Sequence, residues 1–159
     1  MDADVVLRKH GACMDAVEWL GMRRAPKAAW DACERGDWLL WIAARLGVKR
    51  EIVVFAACQC ARLALKYTKD PRVLNCIETT EAWTRGKASI EDVRRDRAAA
   101  DAAAADAAYA AADAAYAADA AAYAAYAAAA VGKEAQRACA ALVRQHIPWK
   151  LVKARLDAG

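Results

Sequence analysis

The residues of this chain with the most evident chemical reach are six cysteines, two histidines, and tyrosines and aspartates set regularly in alanine. Cys13, Cys33, Cys58, Cys60, Cys76 and Cys139 are even in number. Each falls inside an apolar helical pattern and not in a loop, which predicts buried reduced thiols and not a disulfide framework. Cys58-Gln59-Cys60 is a close pair, but structural zinc needs a spacing of about two to four and a second ligand pair. Neither His10 nor His146 supplies it, so no metal is expected. His10 lies in an amphipathic stretch and His146 beside Ile147-Pro148, with no nucleophile elbow near either in sequence. Glycine loops that cradle phosphate, His-Glu-x-x-His and acidic calcium loops are all absent from the sequence. The expectation is a protein that is not an enzyme, with no catalytic residue and no cofactor. An enzyme reading would have to rest on Glu34, Asp37 or Glu81 as a buried acid or base, signalled by a strongly shifted carboxylate in a cleft.

The remaining chemistry is that of contact. Residues 98–132 comprise 25 Ala, four Asp, four Tyr, one Val and one Gly. At about 100° per residue, Tyr116 and Tyr123 fall within about 40° of Tyr109, with Asp106 and Asp113 on one side of the stripe and Asp101 and Asp119 on the other. The opposite face is alanine alone, which permits close helix packing or pairing with a second copy, a potential homodimer. Two readings of the tyrosine face stand side by side. In one, the tyrosines fill grooves and the aspartates pair with the chain's own arginines. In the other, Tyr109, Tyr116, Tyr123, Asp106 and Asp113 form a surface for a basic partner, since tyrosine loses little rotamer entropy on binding. A second dense polar and aromatic spot is Glu34-Arg35-Gly36-Asp37-Trp38, with Trp41 one turn further on. It reads as a tight interhelical turn or as a partner-binding corner carried by Arg35, Asp37 and Trp38.

These residues must be positioned by helices. Apolar spacing near three and four predicts a helix over Val5–Met22. Pro26 starts a second that ends at Gly36, and Asp37 caps a third, Trp38–Leu46, which Gly47 stops. Lys49–Tyr67 has the wide apolar surface of a central core helix. Asp70-Pro71 opens the next helix, which runs to Gly86, and Ser89-Ile90-Glu91-Asp92 matches a capping box. That box begins a long alanine-rich helix over Ser89–Val131, ended or kinked at Gly132. Lys133–Gln145 and a short segment from Pro148 complete about seven helices. The expected fold is all-α, a compact single-domain helical bundle over 1–159. It comprises a Trp- and Cys-rich part (1–88), the long helix (89–131) and C-terminal helices (133–159), a length suited to one domain.

Composition narrows the partners. Lys and Arg number 24 against 20 Asp and Glu, a net charge of +4. Arg85, Lys87, Arg94, Arg95 and Arg97 cluster, but the positive charge is otherwise scattered and interrupted by the acidic helix, so nucleic acid is not the expected partner. No apolar run approaches the roughly 20 residues of a membrane span, and Met1–Lys9 carries charge where a secretion signal would be apolar. A cytoplasmic protein without a membrane segment is expected.

Several stretches carry a family resemblance. Ala29-Trp30-Asp31-Ala32-Cys33-Glu34-Arg35-Gly36-Asp37-Trp38-Leu39-Leu40-Trp41 is one. Ala56–Arg62, Asp70-Pro71-Arg72 through Glu81-Ala82-Trp83, and Val143-Arg144 with Ile147-Pro148-Trp149 are others, with repeated Ala-Ala-Tyr units between. In order and spacing, nearly end to end, the chain resembles the Imm5-like group of immunity proteins of bacterial polymorphic-toxin systems. The segment here is unusually poor in arginine among its Ala and Tyr units. The resemblance implies an all-helical protein that neutralises a toxin by direct binding in the cytosol, with no activity of its own. The alternative is a phage or mobile-element anti-defence protein that inhibits a host defence protein or sequesters a small-molecule signal in a basic pocket, which arginine and tryptophan would line.

Overall fold

The computed structural model describes residues 3–21, 25–115 and 121–158, with the side chains of all these except residues 64, 104–115 and 121–131. The described residues are helical and contain no strand, as an all-α fold requires. In order they form α1 (Ala3–Lys9), α2 (Met14–Leu20), α3 (Pro26–Ala32), α4 (Gly36–Arg45), α5 (Arg50–Arg62), α6 (Pro71–Thr84), α7 (Ile90–Ala115), α8 (Ala121–His146) and α9 (Trp149–Leu156), with a 3-10 turn at Leu63–Lys66 after α5. These are nine α-helices among the described residues where about seven were expected, and the differences have local causes.

The helix expected over Val5–Met22 is two helices. Gly11 adopts φ +75°, a conformation open to glycine because it has no Cβ. Ala12 N donates to Leu7 O at 3.0 Å and Gly11 N to Arg8 O at 3.1 Å, the paired bonds that close a helix around a left-handed residue. Cys13 is therefore an exposed loop residue before α2, not a buried helical thiol. Gly132 behaves in the opposite way: it is helical, and α8 runs through it from the alanine-rich segment to His146. One glycine costs about 1 kcal/mol against alanine, which the strong helix formers around it offset. The long helix expected over 89–131 is described as α7 over 90–115 and α8 from 121, and residues 116–120 lie outside the described residues.

Helix starts were more legible. Asp70 accepts from Arg72 N at 2.9 Å with Pro71 behind it. Ser89 and Asp92 cap each other, with Asp92 N donating to Ser89 Oγ at 3.0 Å and Ser89 N to Asp92 Oδ2 at 3.1 Å. Asp37 is no cap: α4 begins one residue earlier, at Gly36, and the Asp37 carboxylate is taken by Arg35.

The chain divides into two compact units, Met1–Ala57 with Gln136–Gly159, and Cys58–Ala135. In the first, Leu20, Val143, Ile147 and Val152 are the largest fully buried side chains. There α4 meets α8 at its first residue: Gly36 N donates to Gln136 Oε1 at 3.0 Å, and a Cβ on Gly36 would lie 2.4 Å from Cys139 Cβ and 2.9 Å from its carbonyl carbon. In the second unit α6 packs against α7, and Ile77 and Ala103 are buried beside two buried carboxylates, Glu81 and Asp96. Asp96 accepts from Thr79 Oγ1 at 2.6 Å and from Arg95 Nε at 3.0 Å.

The two helical glycines predict effects of opposite sign. Gly36→Ala forces a methyl against the Cβ and backbone of Cys139 and should cost about 1–3 kcal/mol or more, as overpacking does. Gly132→Ala adds a methyl where nothing lies within 4 Å and should gain about 1 kcal/mol. Urea denaturation of the two variants beside the parent checks both.

Candidate functional site

The α3–α4 corner is assembled from residues far apart in sequence. Cys33, which follows α3, and Arg35, which precedes α4, are extended, so a short extended link joins the two helices. From α8, Arg144 donates to Cys33 O at 2.7 Å and to Trp30 O at 3.3 Å. A cation thus satisfies carbonyls at the end of α3, where the helix dipole favours positive charge. Arg137 Nε meets Glu34 Oε2 at 2.9 Å on the surface of the same corner.

On this base Arg35 and Asp37 form a bidentate pair, Nε to Oδ1 at 2.8 Å and a terminal nitrogen to Oδ2 at 2.6 Å. Both side chains remain nearly half exposed, at 46% and 47%. The Arg35 guanidinium lies 4.6 Å from the centre of the Trp38 ring, within cation–π range. Trp38 in turn meets Trp19 edge to face at 5.9 Å. The hydrogen bonds from Arg35 hold the Asp37 carboxyl below the ordinary carboxylate range, so the pair is charged at neutral pH.

Beneath this rim the first unit holds a half-open apolar cavity of about 460 Å³. Trp19, Trp30, Trp38, Trp41 and Trp149 line it, five of the chain's six tryptophans. Aliphatic side chains of α1, α2, α4 and α9 complete the walls, with Cys13 and Cys33; among the described residues of the lining Asp37 is the one that carries charge. Burial pushes the Cys33 thiol up in pKa, away from the thiolate.

No family model, curated protein or solved structure matches the chain.

Of the residues singled out in the sequence, Arg35, Asp37 and Trp38 come together as one stacked group. Tyr116 lies outside the described residues, as do the side chains of Tyr109, Tyr123, Asp106 and Asp113, whose backbones are helical in α7 and α8. Gln136, Cys139 and Arg144 were missed, because no local pattern links a helix-face residue to a turn about a hundred positions away. The cavity was missed as well, although the abundance of tryptophan was a visible signal.

The three carboxylates weighed as acid or base are all engaged in ion pairs. Glu34 is exposed and bound to Arg137. Glu81, in the second unit, accepts from Arg62 at 2.7 and 2.9 Å and from Gln59 at 2.8 Å. Arg62 above all holds the Glu81 carboxyl below its ordinary value, and the Cys58 thiol, buried and near Glu81, is pushed up to about 11.

The lowered Glu81 pKa gives a signed prediction. A carboxyl whose folded pKa lies below its unfolded value contributes stability that is present above the unfolded value, near 4.5, and lost as pH falls through the folded one. Glu81→Gln should therefore be less stable than the parent at pH 7, with the gap narrowing steadily towards about pH 3. Denaturation midpoints measured across that range check it, and a gap independent of pH would count against the ion pair as its source.

Proposed function

We propose that this chain is a non-enzymatic inhibitor that binds a protein partner through the α3–α4 corner, in the manner of an immunity protein neutralising a bacterial toxin in the cytoplasm. The observation that carries the reading is the half-exposed Arg35–Asp37 pair stacked on Trp38. Arginine and tryptophan are the residue types in which binding energy concentrates at protein interfaces. Here they are already held in place before any partner arrives, so docking orders little that is not ordered already. One of the stretches that carry the resemblance to immunity proteins, residues 29–41, contains this corner, which supports toxin neutralisation in particular. Tyr109, Tyr116, Tyr123, Asp106 and Asp113 are proposed as a further contact surface on the same grounds of residue type and heptad spacing. A host defence protein as the target would use the same surfaces. Capture of an anionic signal is less well supported, because no described residue of the cavity walls is basic.

Affinity purification from the native host's lysate, followed by mass spectrometry and an activity assay of the captured protein, tests this. The parent chain should capture one protein stoichiometrically and inhibit it. Arg35→Ala and Trp38→Ala should each weaken binding tenfold or more, about 1.4 kcal/mol, while Lys27→Ala on α3 leaves it unchanged. Undiminished inhibition by both corner variants would refute the assignment.

A further inference from the structure

We infer that the tryptophan-lined cavity of the first unit is a binding site for a neutral, planar aromatic small molecule, a site independent of any partner docked on its rim. A cavity of about 460 Å³ lies among the side chains of α1, α2, α3, α4 and α9. Protein interiors leave few voids larger than a water molecule, whereas ligand pockets begin at about 300 Å³. The space is therefore that of a pocket, not of a packing defect. Its walls select the ligand's shape: indoles from α2, α3, α4 and α9 offer faces and edges to which flat aromatic rings stack or abut. They also select its charge. An anion finds no lysine or arginine among the described lining residues. A cation finds Asp37, but Arg35 already neutralises that carboxylate, and its guanidinium would repel a second positive charge beside it. A neutral ligand meets neither obstacle, and a single N–H or O–H on it could share the Asp37 oxygens at the rim.

The test uses the full chain and two related dyes, neutral N-phenyl-1-naphthylamine and anionic 8-anilinonaphthalene-1-sulfonate. The neutral dye should bind saturably at one site and quench the tryptophan emission, and the sulfonate should bind at least tenfold more weakly. Ala16→Leu, which fills the cavity from a buried lining position, should weaken the neutral dye at least tenfold while circular dichroism and the melting profile remain those of a folded helical protein. Should that variant not fold, amide shifts of the unaltered chain decide the matter. Dye-induced shifts centred on Val6, Leu20, Leu39 and Val152 support the site. Shifts spread over both units, equal affinity for the two dyes, or no saturable binding overturn it.

Discussion

The absence of a side chain at Gly36 lets α4 begin directly on the backbone of α8, and the first unit is arranged around that contact. Gln136, Cys139, Ala140, Val143 and Arg144 recur at helical spacing along one face of α8, and Ile147 follows directly after its end. Ala140, Val143 and Ile147 are fully buried. At one end of the face Gln136 accepts the Gly36 N–H, and at the other Arg144 takes the last carbonyls of α3. The turn between α3 and α4 is thus gripped by polar contacts around a small-residue seat. A helix starting at any residue with a Cβ would be lifted off Cys139, and the Gln136 bond would be lost with the close approach.

That arrangement separates what holds the corner from what the corner displays. An exposed ion pair contributes on the order of 0–1 kcal/mol, so Arg35 and Asp37 add little to stability. Their bidentate geometry instead fixes the guanidinium over Trp38, and the indole edge carries that order on to Trp19. The Arg62–Glu81 pair of the second unit differs in kind. The Glu81 side chain is only 10% exposed, and removing one partner of such a pair leaves a charge with poor solvation. One pair is structural ballast inside a helix pair, whereas the other is a presented surface that its own unit does not require for folding.

How far the sequence revealed this depended on the range of each interaction. Asp70-Pro71 and Ser89–Asp92 were readable because a cap is decided within four residues, and the structure forms both. Gly47 was readable as a stop for the same reason, and it carries φ +77°. Gly11 and Gly132 were misjudged because a glycine's role depends on whether its neighbours can hold it in a helix. Gly11 follows a weak seven-residue helix, while Gly132 sits in a long run of strong formers. Asp37 looked like a cap because Asp commonly is one, but Arg35 two residues earlier competes for the same carboxylate and wins both oxygens. The charge and aromatic character of the corner were legible locally. Its attachment to α8 was not, since Gly36 and Gln136 are a hundred residues apart.

The cavity follows from composition once the helices are placed. α1, α2 and α3 have seven residues each, too short to persist without tertiary contacts. For α2 and α3 those contacts include indole pairs, and the chain has six Trp and a single Phe. Trp30 meets Trp149 tilted at 6.5 Å and Trp19 meets Trp38 edge-on at 5.9 Å, within the spacing at which aromatic rings attract. Facing them are Ala3, Ala12, Ala16 and Ala29. Rigid large rings set against methyl groups cannot adapt to each other's outlines as Met or other flexible side chains would. The pairs that hold the short helices together thereby also hold them apart, and the apolar space left between them is a product of the same residues that stabilise the unit.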